Sequence, residues 1–259
     1  MLLKVPTKRE VEQIRLILST YQDGSGMLKA AGSTLPGWRD FERAVAIVFG
    51  GEAQESKAIF DILVPTVQNS PVKFGISCKM RRELNKLRKT GRVSIELSNS
   101  SGYFWSRLQS QGINRKNYRK KSAAVGKVLL GLVESWHHAV STKQGGIVDL
   151  DKSFYLVLLW NRAGLYQLHQ FVIHIPKPDA LKWYFPTSRC LKGDDKDGTL
   201  FEWYGESGGQ LKYYPLARNA IWCSEPFSLE PIKDLKGGIL AKVSTYFPKL
   251  WNKVEDHSK

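Results

Sequence analysis

Apolar positions recur along this chain with two different periods, and each change of period marks a change of element. Val11, Ile14, Leu18 and Tyr21 return at helical spacing and predict a first helix, ended by Asp23-Gly24-Ser25-Gly26. A second helix follows Pro36-Gly37. In it Trp38, Phe41, Val45, Val48 and Phe49 share one stripe, Arg39, Asp40 and Arg43 point away, and Gly50-Gly51 supplies the stop. Glu42 sits roughly 70° from the centre of that stripe, at the edge of the buried face. Runs with a strand character come next: Ala58 to Val64, Val72 to Met80 after the turn Asn69-Ser70-Pro71, and Arg92 to Leu97 after Gly91.

A long helix is predicted from Ser122 to about Val140, with Val125, Val128, Leu129, Leu132, Val133 and Trp136 on one side. Phe154 to Trp160 is apolar throughout, as a strand buried on both faces would be. Leu165 to Ile175, Leu200 to Tyr204, Gln210 to Tyr214 and Ala220 to Ser224 read as further strands. The order predicts an α/β or α+β domain in which a mixed β-sheet is flanked by helices, with additional C-terminal strands. No repeat or linker divides the chain, so residues 1–259 are read as one domain, with a core over about 37–160 and a C-terminal subregion over about 161–259.

Composition sharpens this picture in two respects. The chain's 259 residues, 42% of them apolar, are enough to bury a substantial core, which excludes wholesale disorder. The three cysteines, Cys78, Cys190 and Cys223, lie far apart and form no CxxC pair, so neither a disulfide framework nor a zinc knuckle fits. A reducing, intracellular compartment is the simpler expectation, that of a prokaryotic cytoplasm. Met1 to Glu12 has no apolar leader core and no run approaches the roughly 18 apolar residues of a membrane span, so a soluble, unprocessed protein is expected with no membrane partner.

Charge changes the picture more. The net charge is +15, and residues 81–121 alone hold twelve basic and two acidic residues, or +10 of that total. The segment carries Arg81, Arg82, Lys86, Arg88, Lys89 and Arg92, then Arg115, Lys116, Arg119, Lys120 and Lys121, with Tyr103, Phe104, Trp105 and Tyr118 interleaved. Such a stretch suits a polyanion, because Lys and Arg contacts to phosphates release condensed counterions. Side chains able to pair with base edges, Gln111, Asn114, Arg115, Lys116, Asn117 and Arg119, cluster in the same stretch. Arg189, Lys192 and Asp194-Asp195-Lys196-Asp197 form a second candidate set.

The candidate chemistry lies just before the basic segment. In the first strand Ile59, Asp61 and Leu63 share a face, and in the second Lys73, Gly75, Ser77 and Lys79 do. A carboxylate and an ammonium inside apolar strands each need a partner or a metal, and the plainest outcome is an Asp61–Lys79 ion pair. The sequence Phe60-Asp61-Ile62-Leu63-Val64-Pro65, followed by Ile76-Ser77-Cys78-Lys79-Met80 and preceded by a helix carrying Glu42, resembles the core of the PD-(D/E)XK nucleases, including many type II restriction endonucleases. The resemblance covers about residues 37–160. It implies Asp61 as a ligand of one or two Mg²⁺ ions, Lys79 as the residue that orients the attacking water, and Glu42 as a further ligand. Cys78, between Ser77 and Lys79, is counted with the metal-holding positions. Two departures stand out. Phe60 replaces the nominal proline, and Ser77 occupies the place of the second carboxylate and cannot supply its charge. A displaced acid is therefore expected downstream. Glu96, on the polar side of Arg92 to Leu97, is preferred to Glu83, and Glu55 is a more distant candidate.

The functional expectation is a Mg²⁺-dependent endodeoxyribonuclease of restriction type that cuts both strands of duplex DNA at a short site. It would act as a homodimer, because two-fold protein symmetry mirrors a palindromic site, with a companion DNA methyltransferase as a functional rather than a physical partner. A repair or structure-selective nuclease on the same core, and a non-catalytic DNA-binding protein with a decayed core, are the alternatives. His137-His138 do not share a helix face, and the Gly-Gly pairs lack phosphate-loop contexts.

Overall fold

The computed structural model describes residues 3–30, 33–54, 59–232 and 238–249. The first helix, α1 (Lys8–Thr20), opens with a capping box in which the Thr7 hydroxyl accepts from the Glu10 amide at 3.2 Å and the Glu10 carboxylate accepts from the Thr7 amide at 2.7 Å. Strands β1 (Leu28–Ala30) and β2 (Ser33–Leu35) pair antiparallel, and α2 (Trp38–Phe49) follows. At the head of α2 the buried Asp40 carboxylate accepts from the amides of Gly37 at 2.8 Å and Met27 at 3.1 Å, and its tail turns at Gly50, with φ +64°. Thus α2 is pinned at both ends, which fixes the face that carries Glu42.

Among the described residues the principal sheet has seven strands. Strands β3 (Glu52–Ala53), β4 (Ile62–Pro65) and β5 (Lys73–Arg81) form an antiparallel meander. After α3 (Leu84–Thr90), β6 (Ile95–Ser98), α4 (Ser101–Gln109) and α5 (Ser122–Val140), the chain returns as β7 (Phe154–Trp160), parallel to β5. Strand β8 (Leu165–Val172) adds antiparallel beside β7. A second, five-stranded antiparallel sheet contains β9 (Lys182–Thr187), β10 (Cys190–Asp195), β11 (Gly198–Trp203) and β12 (Leu211–Tyr213), in the order β6-β12-β11-β10-β9. Strands β13 (Trp222–Cys223) and β14 (Phe227–Ser228) close the far edge of the first sheet on β8, and α6 (Gly238–Tyr246) ends the described chain.

Three apolar clusters hold these layers together. On one face of the first sheet Ile62, Phe74, Ile76, Cys78, Phe154, Leu156 and Leu158 pack against Ile14 and Leu18 of α1 and Phe41 and Val45 of α2. On the other face Tyr155, Val157, Leu159 and Phe171 meet Leu84 of α3 together with Val93 and Ile95. The third cluster lies under the second sheet, where α4 and α5 bury Phe104, Trp105, Leu129 and Val133 against Trp183, Phe201 and Trp203. Each fully buried Leu, Ile or Phe contributes about 1.5–3 kcal/mol relative to exposure. Leu97 and Tyr213 pack against both of the last two clusters, so β6 and β12 are the seam between the sheets.

The mixed sheet flanked by helices agrees with the expectation, and α5 and β7 have the predicted limits. Three details differ. Strand β4 begins at Ile62, so Asp61 stands at its mouth rather than inside it, and Ala58 lies outside the described residues. The third run starts as a strand only at Ile95, and it joins the second sheet through β12 instead of continuing the first meander. The division near residue 160 is also redrawn. Strands β8, β13 and β14 complete the first sheet, while β6 and α4, from within 37–160, belong to the second layer.

Candidate functional site

Strand register brings the site residues to one place. Ile62 faces Ile76 across β4 and β5, and Ser77 and Lys79 lie level with Tyr155 and Val157 of β7. Alternation therefore turns Ser77, Lys79 and Arg81 to the face away from α1 and α2. Asp61 meets them there. One of its oxygens, Oδ2, accepts from the Cys78 amide at 2.8 Å, from Lys79 Nζ at 2.9 Å and from Ser77 Oγ at 3.2 Å. Lys79 Nζ also donates to the Cys78 carbonyl at 3.0 Å. Both charged side chains remain partly open, Lys79 at 20% and Asp61 at 26% exposure, so a ligand can reach them.

Glu42 adds a second carboxylate from α2. Burial pushes its pKa up to about 7, and the negative charge of Asp61 pushes in the same direction, against the opposing effect of Lys79. A dication would relieve both penalties at once, because it neutralises two carboxylates that now repel each other. Two carboxylates with solvent and phosphate oxygens are a donor set suited to Mg²⁺, which keeps several waters and takes few protein ligands. The pair falls short of an all-protein cage: among the described residues no cluster of three or more His, Cys, Asp or Glu side chains is set to hold a metal.

No family model, no curated protein and no solved structure matches this chain. Its site is accordingly read from its own geometry.

Several candidates fall elsewhere. The Cys78 thiol is buried on the α1/α2 side of the sheet, and burial holds its pKa far above the usual thiol value. Only the Cys78 backbone takes part, because consecutive strand residues face opposite sides. Glu96 does not join the Asp61 hydrogen bonds. Its carboxylate is bound by Arg81 at 2.6 Å and by Gln210 at 3.3 Å, a consequence of β6 pairing with β12. Glu83 precedes α3 as its N-cap, 3.9 Å from Lys86, and Glu55 lies outside the described residues.

The basic candidates divide into committed and exposed groups. Arg92 donates to the Tyr214 carbonyl at 2.7 Å and to Asp195 at 2.9 Å, and so ties the start of the β6 segment to the second sheet. Asn114 and Asn117 shape their own turn: Asn117 Oδ1 accepts from the Asn114 amide, and Asn114 Oδ1 from the Lys116 amide, each at 2.9 Å. In the second set, Lys192 pairs with Glu202 at 3.1 Å, Asp194 takes the Tyr184 hydroxyl at 2.9 Å, and Asp197 pairs with Arg218 at 3.2 Å. These residues build structure. Arg82, Arg88, Lys89, Arg115, Lys116, Arg119, Lys120 and Lys121 are exposed. Arg82 lies over the Trp160 ring and Arg115 over Trp105, at 5.9 and 4.6 Å. Arg119 approaches Glu206 at 3.6 Å, and Arg88 and Lys89 occupy the last turn of α3, where the helix dipole favours cations.

Sequence reasoning missed two supports of the site. The Cys78 amide donates to Asp61, which no side-chain pattern encodes. Phe60 packs over Gly75, where any Cβ would run into the ring, and against His137 of α5 at 5.9 Å between centroids. A lone glycine inside an apolar strand was the available signal, since it marks a close approach.

Proposed function

We propose that this protein is a Mg²⁺-dependent endodeoxyribonuclease of restriction type, acting on double-stranded DNA. The observation that carries the reading is the convergence of Ser77, the Cys78 amide and Lys79 on one oxygen of Asp61, with Glu42 close enough for the Asp61 charge to raise its pKa. The element order supports it: a helix bearing an acid, a three-strand antiparallel meander, a crossover helix and a parallel strand are α2, β3–β5, α5 and β7. The exposed basic residues of segment 81–121 support a nucleic-acid substrate.

In this reading Glu42, rather than Glu96, makes up for the carboxylate missing at Ser77. Asp61 and Glu42 would hold the ion. When bound, Mg²⁺ lowers the pKa of a water and polarises the scissile phosphate. Lys79, whose ammonium lies 2.9 Å from Asp61 Oδ2, would donate to the attacking water and fix its direction. Ser77 Oγ and the Cys78 amide keep the Asp61 carboxylate oriented throughout, as supporting hydrogen bonds do for metal ligands. No covalent attachment to the protein is needed.

Ser77 also favours a second reading, a DNA-binding protein on a decayed nuclease core, because serine contributes no charge to the cation. Incubation of supercoiled plasmid with the protein in Mg²⁺ and in EDTA separates the readings. Discrete Mg²⁺-dependent bands are expected. A smear or nicks indicate a structure-selective nuclease, and gel retardation without cleavage refutes the enzyme reading.

A further inference from the structure

We propose that Arg81 is the binding site for a DNA phosphate adjoining the one attacked, and that Glu96 occupies this site until DNA displaces it. The inference rests on the nuclease reading and deepens it.

Arg81 is the next residue on the same face of β5 after Ser77 and Lys79. Two strand residues span about 6.6 Å, of the order of the separation between successive phosphates on one DNA strand. With one phosphate at Lys79, the neighbouring phosphate falls within reach of the Arg81 guanidinium, whose planar fork matches phosphate oxygens. The Arg81–Glu96 pair remains partly open, at 30% and 21% exposure, so an incoming anion can compete for it.

The second sheet makes the exchange inexpensive. Its register sets Lys192, Glu202, Lys212 and Glu96 side by side across β10, β11, β12 and β6. Two lysines and two glutamates already balance, so Arg81 is the surplus charge at the end of the row. Lys192 is 3.1 Å from Glu202, whereas the Lys212 ammonium lies over the Tyr204 ring at 5.0 Å and forms no ion pair among the described residues. When Arg81 turns to a phosphate, Glu96 keeps the Gln210 amide and gains Lys212, its neighbour across the strands. Neither charge is stranded, and the cost of an unpaired half-buried carboxylate is avoided.

The test is fluorescence anisotropy on a short labelled duplex in EDTA, where no cleavage occurs, over a series of salt concentrations. Glu96→Gln should bind about three- to tenfold tighter than the wild type, because the competing carboxylate is gone. Arg81→Ala should bind more weakly, with the slope of log affinity against log salt reduced by about 0.9, and the double variant should match Arg81→Ala. Arg81→Lys should restore the slope without restoring the full affinity. A Glu96→Gln affinity equal to or below that of the wild type, or an unchanged slope in Arg81→Ala, overturns the proposal, provided thermal melting shows both variants folded. If Glu96 were instead a metal ligand, Glu96→Gln would leave this metal-free affinity unaltered and raise the Mg²⁺ requirement. A wild-type protein without duplex affinity in EDTA overturns this site alone if it still cuts plasmid in Mg²⁺, and overturns the nuclease reading as well if it does not. Duplex binding that is indifferent to both substitutions overturns the Arg81 site alone.

Discussion

The two sheets of this molecule use charge in opposite ways. In the second sheet, positive and negative side chains alternate across β10, β11, β12 and β6, and Glu202 gathers Lys192, Tyr204 and Tyr214 around one carboxylate. Each charge in the row lies beside one of opposite sign, and Glu96 at its end takes Arg81 from the first sheet. At the mouth of β4 and β5, in contrast, three donors crowd onto one Asp61 oxygen while Glu42 forms no ion pair among the described residues, and burial, with the Asp61 charge, pushes its pKa up to about 7. A charge pattern that closes on itself is architecture. One that leaves a carboxylate half-buried within the influence of another, its pKa raised chiefly by burial, marks a candidate functional site.

The contrast can be broken most sharply at Asp61. Asp61→Asn and Lys79→Ala are each expected to lower plasmid cleavage by about 10³-fold or more while duplex affinity changes little, as rate assays and gel retardation would reveal. Unaltered cleavage in either variant would move the chemistry elsewhere. A paired test of packing follows. Gly75→Ala drives a methyl into Phe60, next to Asp61, whereas Gly126→Ala drives one into Trp183 beneath the second sheet. Both should cost about 1–3 kcal/mol of stability, but only Gly75→Ala should slow cleavage at a temperature where both proteins are folded. Equal cleavage by the two variants would erase the distinction between the regions.

Smaller effects sharpen it further. Glu202→Gln removes the Lys192 ion pair and weakens the hold on two tyrosines, so a loss of about 1 kcal/mol in a thermal or urea melt is expected, with cleavage unaffected. Glu42 provides a pH signature. Its folded pKa of about 7 lies above the ordinary value of 4.5, so between those limits the folded protein binds more protons than the unfolded chain, and stability falls as pH rises. Glu42→Gln should therefore stabilise the protein at pH 8 relative to pH 4.5, by about 1 kcal/mol after allowance for solvent screening. At the same time the wild type's Mg²⁺ affinity should rise through pH 7, as Glu42 loses its proton. The buried His137 and His169, held down to about 4 chiefly by burial, act in the opposite sense: their contribution is present above the unfolded value of 6.5 and is lost as pH falls through the window from 6.5 to 4. The smallest effect belongs to single exposed cations such as Lys120, whose replacement by Gln should lower the salt slope of DNA binding by about 0.9 if it touches one phosphate.

What could be read from the sequence follows from how far each signal reaches. The apolar stripe of Ser122–Val140 and the continuous run Phe154–Trp160 are local and long, and both elements appear at the expected residues. The shared face of Ser77 and Lys79 was equally legible, because alternation along β5 is local, whereas Asp61 stands just before β4 and meets them from outside the strand. The short helix α3 was not. It buries only Leu84, so its seven residues carry almost no apolar period and read as a charged loop. Glu96 was misplaced for another reason. Ile95 and Leu97 alternate in the same way whichever sheet β6 joins, and its partner β12 lies more than a hundred residues further on. The committed roles of Asn114, Asn117 and Arg92 likewise depend on turns and long-range partners that composition does not record.

The central claim is that Asp61 and Glu42 together form a dication site from which Glu96 is excluded. Titration of the DNA-free protein with Mn²⁺, followed by electron paramagnetic resonance, addresses it directly. The account predicts one bound ion per chain in the wild type and in Glu96→Gln, and loss of that ion in both Asp61→Asn and Glu42→Gln. A wild-type protein that binds no ion, or an ion that survives Glu42→Gln and disappears in Glu96→Gln, would contradict it.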